Sequence, residues 1–127
     1  MTLRTYIFVF FIIGLFSKSF SQEIKFKSAK QKFGFVTEGD TVKLSYELKN
    51  VGDKPLIISN YEVECGCTVM EKVDRVIQPG ETYVIKVTFD THQKYDRQDR
   101  TVTIISNSKN APNIVRFKGV VLQPKKN

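Results

Sequence analysis

Thr41-Val42-Lys43-Leu44-Ser45-Tyr46-Glu47-Leu48-Lys49-Asn50 (TVKLSYELKN) alternates strictly between apolar and polar residues. Val42, Leu44, Tyr46 and Leu48 fall on one side, Lys43, Ser45, Glu47 and Lys49 on the other. A period of two puts successive side chains on opposite faces of an extended chain, so the stretch predicts a strand with one face in a core and one in water. The run Asn50-Val51-Gly52-Asp53-Lys54-Pro55 closes it. Gly and Asp tolerate turn dihedrals and Pro55 lacks an N–H, so pairing is expected to resume only with Leu56 to Ser59.

The same period recurs outward from this strand. Gln78-Pro79-Gly80-Glu81 has Pro and Gly where a type II turn needs them, after the short apolar piece Arg75-Val76-Ile77. Thr82 to Asp90 (TYVIKVTFD) sets Tyr83, Ile85, Val87 and Phe89 inward. Thr91 to Arg100 (THQKYDRQDR) is polar throughout and reads as an exposed connection, followed by a strand over Thr101 to Ser106 and a loop over Asn107 to Asn113. Ile114 to Leu122 closes the domain with Val115, Phe117, Gly119 and Val121 in one register, Gly119 marking a bulge or a close backbone approach. Upstream, Glu23 to Lys27 and Phe33 to Val36 supply one or two initial strands, and Leu56 to Glu64 one more. No stretch sustains helical periodicity. About seven short strands in roughly a hundred residues predict an all-β fold, an immunoglobulin-like β-sandwich.

Length agrees with this reading, since 127 residues make one domain. The first segment is a different kind of sequence. Arg4 precedes eleven nearly apolar residues, Tyr6 to Phe16, and Ser19 and Ser21 then stand at the minus three and minus one positions of a cleavage site before Gln22. This is the pattern of a signal peptide over residues 1–21, leaving a single domain over residues 22–127. The apolar run falls well short of the roughly 20 residues that cross a bilayer, so no stable membrane span is expected after cleavage. The expected location is the periplasm or the outside of the cell.

The chain carries a net charge of +7, and residues 22–127 alone carry +5. Lys25, Lys27, Lys30, Lys32, Lys125 and Lys126 lie near the ends, while Phe33 to Pro124 holds 12 cationic and 12 acidic residues. A balanced body lacks the concentrated cations of a nucleic-acid groove, so no nucleic-acid partner is expected. The basic ends read as solvated termini, with weak attraction to anionic lipid or polysaccharide as the other possibility.

One constellation could carry chemistry. Cys65-Gly66-Cys67-Thr68 places two thiols one residue apart, too close in sequence to staple two sheets. In an oxidising compartment the pair is a disulfide candidate. Such a small ring is strained and therefore reactive, which opens a thiol redox role, although Glu62 and Glu64 disfavour a thiolate. With Met70, Cys65 and Cys67 would also form a soft ligand set suited to Cu(I), for which His92 is the only imidazole. The remaining reading is structural, with both Cys shaping the end of a strand. His92 itself reads as a solvated loop residue. Asp90, Asp96 and Asp99 lack the spacing of a Ca²⁺ loop and have Lys94, Arg97 and Arg100 among them, so they read as members of surface ion pairs.

The order and spacing of Asn50-Val51-Gly52-Asp53-Lys54-Pro55-Leu56-Ile57-Ile58, Cys65-Gly66-Cys67-Thr68, Pro79-Gly80-Glu81, Val87-Thr88-Phe89-Asp90-Thr91, Ser106-Asn107 and Phe117-Lys118-Gly119-Val120-Val121 resemble a family of exported bacterial domains of unknown function. The resemblance covers Phe33 to Leu122 and implies an immunoglobulin-like sandwich related to hydin-type and major-sperm-protein-like domains, in the cell envelope. It departs over Gln93 to Asp99, where the family commonly has a Gly and this chain has Tyr95-Asp96-Arg97.

With no Trp, one His and two Cys, the chain lacks the groups that usually make a catalytic site, and no cofactor is expected. The expected function is a non-enzymatic exported binding or scaffold module of the cell envelope, engaging a protein or cell-surface glycan through loops or by strand addition. Thiol redox or Cu(I) binding through Cys65 and Cys67 is the alternative.

Overall fold

The computed structural model describes residues 21–126. Their strands are β1 (Ile24–Phe26), β2 (Lys30–Thr37), β3 (Thr41–Asn50), β4 (Ile58–Val63), β5 (Thr68–Met70), β6 (Thr82–Asp90), β7 (Asp96–Ser106) and β8 (Asn113–Leu122). Two four-stranded sheets form, in the orders β1-β3-β6-β5 and β2-β8-β7-β4. Every pairing is antiparallel except that of β2 with β8. The expected signal peptide lies outside the described residues except for Ser21, and among the described residues no helix is long and apolar enough to cross a membrane.

β3 buries Val42, Leu44, Tyr46 and Leu48, as its alternation demands, and β6 opposes them in the same sheet with Ile85, Val87 and Phe89. Val102, Ile104, Val115 and Phe117 face them from the other sheet. Full burial of side chains of this size contributes about 1.5–3 kcal/mol each. The two layers are also joined by a polar contact: the buried Tyr46 hydroxyl donates to the carbonyl of Arg116 at 2.9 Å.

The chain changes sheets twice on its edges. β1 and β2 lie in opposite sheets, with the Lys27 N–H still bonded to Glu47 O at 3.0 Å while Ala29 O already accepts from Arg116 N at 2.8 Å. Gln31 then reaches back to cap Ser45 O of β3 at 2.6 Å. The second change runs from β4 to β5 through the Cys65 corner.

Gly119 is where β2 meets β8 most closely. The pairing slips between Lys32 and Gly34, leaving Phe33 as the extra residue, and Gly34 takes φ +73°. The Phe33 ring folds over Gly119, where a Cβ would overlap it, and packs 5.9 Å from the Phe89 ring and 6.2 Å from that of Phe117. The glycine therefore serves a close approach, and the bulge belongs to its partner strand.

Asn50 organises both turns at one end of β3. It is fully buried, donating through Nδ2 to the carbonyls of Lys54 (2.8 Å) and Ile77 (3.0 Å) and accepting from Gly52 N at 3.1 Å. Gly80 N donates to Asn50 O, and the expected turn closes through Glu81 N to Gln78 O at 3.0 Å with Gly80 at φ +79°.

Several boundaries differ from those expected. Eight strands replace about seven, because Thr68–Met70 adds the short β5. β4 begins at Ile58, Leu56 making only an isolated bridge to Ile77. β7 begins at Asp96, so half of the polar run read as a connection is strand, held by backbone pairing to β8. Lys30 and Lys32, read as part of a frayed end, sit in β2.

Candidate functional site

Three of the four sheet edges are blocked. The carboxamide of Asn110 imitates a neighbouring strand beside β1, accepting from Ile24 N at 3.2 Å and donating to Ile24 O at 2.9 Å. β2 carries Lys30, Lys32 and the Phe33 bulge, features that deter pairing with another chain. β5 is only three residues long. β4 remains: six residues with no Lys or Pro, whose pairing with β7 slips between Ile58 and Asn60 and runs in one register from Asn60 to Val63. Tyr61 N–H donates to the side-chain oxygen of Asn60 at 2.8 Å, a contact that an incoming carbonyl can replace.

Beside this edge runs a groove of about 450 Å³ lined by Ile58, Asn60, Tyr61, Met70, Lys72 and Val73. Its apolar wall arises from the change of sheet, because β4 and β5 are consecutive edge strands of opposite layers. Extended backbone beside an apolar slot can bind a strand through main-chain hydrogen bonds and seat one or two side chains.

The Cys65 corner connects β4 to β5 and does not line the groove. Cys65 and Cys67 form a disulfide with their Cα atoms 5.2 Å apart. Thr68 N donates to Cys65 O at 3.1 Å, and Cys67 O accepts from Asp90 N at 2.8 Å, fastening the corner to β6. Both cysteines are half-buried. Glu64 is held over β7 by the Thr101 hydroxyl at 2.6 Å. Met70 points into the core and is 4% exposed. In this bonded state neither sulfur is a thiolate, the form in which Cys ligates Cu(I).

The other singled-out residues do not assemble into one site. His92 is exposed with Nδ1 3.7 Å from Glu38, and Asp90 accepts from the His92 N–H at 2.9 Å. Asp99 pairs with Arg116 at 2.6 Å and Lys118 at 3.7 Å, both on β8 and not within the polar run. Those partners hold its carboxyl below the usual range, the Arg116 hydrogen bonds contributing most. Glu81 is held low in the same way, first by the Gln78 N–H and then by Arg75. Over the departure at Gln93 to Asp99 the backbone is left-handed at Gln93 (φ 58°) and Asp96 (φ 65°), a conformation that glycine adopts most easily. The β4 edge itself escaped sequence reasoning, since strand order is a non-local property; the absence of Lys and Pro from Ile58–Val63 was its only visible trace.

A family model described as "Protein of unknown function (DUF1573)" matches residues 24–121. Among curated proteins none matches. A protein of unknown function from Porphyromonas gingivalis W83 superposes with a TM-score of 0.69 at 19% identity, over 84% of this chain and 50% of that one. The chain thus spans half the length of that protein. The human CEP192 ASH/PapD-like domain gives 0.63 at 11% identity, over 86% of this chain and 92% of the domain. The YadV chaperone gives 0.53 at 14%, over 83% and 55%. At these identities the likeness is one of fold, an immunoglobulin-like sandwich of the PapD type.

Proposed function

The chain belongs to the DUF1573 family of proteins of unknown function, and from that premise we propose that it is a non-enzymatic exported module of the cell envelope that binds a protein partner by strand addition. The observation that carries this reading is the β4 edge from Asn60 to Val63, free of Lys and Pro, beside its apolar groove. A sandwich that blocks β1 with Asn110 and β2 with lysines and a bulge leaves on β4, beyond its own bulge at Ser59, a regular edge from Asn60 to Val63 on which an extended segment can pair. The chaperone among the fold neighbours is in keeping with a protein-binding role, although fold alone does not decide function. Export rests on the leader pattern of residues 1–21.

Photo-crosslinking in the native host tests the reading. A crosslinker at Asn60 should capture a defined peptide of an envelope protein, and one at Val84, on the outer face of the other sheet, should not. Tyr61→Pro, which removes the outward N–H, should abolish capture while far-ultraviolet circular dichroism still reports the folded sandwich. Crosslinks equal at both positions, or indifferent to the proline, would overturn it. N-terminal sequencing of the protein from the envelope fraction should begin at Gln22; an uncleaved cytoplasmic chain would overturn export.

A further inference from the structure

The outer face of β2, β8 and β7 is amphipathic along its length. Across β2 and β8 the lateral pairs are Lys30 with Arg116, Lys32 with Lys118 and Phe35 with Val120, and β7 extends these rows with Thr101, Asp99 and Arg97. Lateral partners point to the same side of a sheet, so cations stand beside cations in two successive rows. Like charges in that position repel and weaken the pairing. Asp99 already serves Arg116 and Lys118, and among the described residues Lys30, Lys32 and Arg97 have no carboxylate partner.

Toward the other end the character changes. Phe35 is 74% exposed, and Leu122, two residues past Val120 on the same side of β8, is 47% exposed. A shallow groove of about 500 Å³ lies in the middle of the face, lined by Lys32, Phe35, Arg97, Lys118 and Val120 together with Asp99, whose charge Arg116 and Lys118 offset. Lys125 and Lys126 follow Leu122 at the apolar end.

We propose that this face docks on an anionic phospholipid bilayer. Phe35, Val120 and Leu122 enter the boundary between headgroups and acyl chains, while Lys32, Lys118 and Arg97, whose long stems lie along apolar surface, reach the phosphates. The repulsion between neighbouring cations is relieved by a negative surface, which gives the charge complementarity. An acidic polysaccharide would satisfy the cations but give Phe35 and Leu122 no hydrocarbon to enter. Strand addition is the business of the opposite edge, and failure here would leave that reading standing.

The test is co-sedimentation of the full chain with vesicles of phosphatidylglycerol and phosphatidylethanolamine, against vesicles of phosphatidylcholine. Binding should require the anionic lipid and weaken with salt. Lys32→Gln and Lys118→Gln should each weaken it about fivefold, and Phe35→Ser at least roughly tenfold. Val84→Ser, on the outer face of the other sheet, should change nothing. All these side chains are exposed, and every variant keeps the apolar stretch at residues 6–16, so differences among them report on this face alone. Equal binding to neutral vesicles, binding indifferent to Phe35→Ser, or retention on an acidic polysaccharide without vesicle binding would overturn the proposal.

Discussion

Asp99 lies laterally opposite Lys118 in the β7–β8 ladder, yet it gives both carboxylate oxygens to Arg116, one step diagonally away, at 2.6 Å each. The planar guanidinium matches a carboxylate at two points, which an ammonium cannot do, so geometry outweighs lateral proximity. Lys118 makes the longer ion pair with the same carboxylate, at 3.7 Å. The arrangement links the local charge pattern to the proposed membrane face, since one carboxylate is shared between Arg116 and Lys118 in the two rows of cations.

A pH dependence follows from that pair. Because Arg116 holds the Asp99 carboxyl below its ordinary value of 3.8, the folded state favours the ionised form. The stability this contributes is present above the ordinary value and is lost as pH falls through the lower folded one. Asp99→Asn should therefore be slightly less stable than wild type at pH 7 and equal to it once Asp99 is protonated in the folded protein. Urea unfolding at the two pH values checks this, with the Asp99 carboxyl carbon titrated by NMR.

Phe33 and Gly119 are coupled by contact. Gly119→Ala puts a methyl group into the Phe33 ring, which cannot retreat without leaving Phe89 and Phe117. The expected loss is about 1–3 kcal/mol in chemical denaturation. In a Phe33→Ala background the same change should cost much less, and a purely additive double mutant would show that the ring is not the obstacle.

Tyr46 joins the sheets through one hydroxyl. Tyr46→Phe removes the bond to Arg116 O and should cost about 1 kcal/mol. Burial pushes the Tyr46 ionisation up to about 12 from its ordinary value of 10.0, so the neutral phenol is favoured in the fold. Its contribution is intact below the ordinary value and lost as pH rises through the folded one. Between these two limits wild type should lose stability faster than Tyr46→Phe, and the variant should lack the most alkaline step in tyrosinate absorbance.

How far the fold could be read depended on whether a segment declares itself locally. Thr41–Asn50, Thr82–Asp90 and Asn113–Leu122 alternate because one face is buried, and their inward residues emerge as expected. Asp96–Arg100 hides its strand because both of its faces are polar: the buried Gln98 is satisfied by Tyr95 O and Arg100, not by apolar packing. Lys30 and Lys32 look like a basic tail until the parallel pairing with β8, some eighty residues on, places them beside Arg116 and Lys118. Cys65 and Cys67 stood out in the sequence and are bonded, but the groove between β4 and β5 is lined by other residues and is created by a change of sheet that no local pattern announces.

Asn50 should be among the most costly polar residues to remove. Its side chain bonds Lys54 O, Ile77 O and Gly52 N inside the protein, where water cannot replace it. Asn50→Ala leaves those backbone groups without their partner, at an expected cost of about 2–4 kcal/mol. Hydrogen exchange should quicken at Gly52 before it does at Leu44 in mid-strand. A loss under about 0.5 kcal/mol would mean that the turns hold themselves.

The disulfide, by contrast, should matter little to global stability. Closing a loop of about three residues removes little freedom from the unfolded chain, worth about 1.5 kcal/mol on the chain-entropy account. The corner keeps its other anchors, Thr68 N to Cys65 O and Asp90 N to Cys67 O, when the sulfurs separate. Cys65→Ser/Cys67→Ser should therefore fold and lose no more than about 2 kcal/mol in urea. The wild-type protein equilibrated with glutathione, alkylated and weighed intact, separates the structural role from the redox one. A pair that stays bonded across the glutathione range marks a fixed corner. One that opens within it would make the β4–β5 corner responsive to its thiol environment.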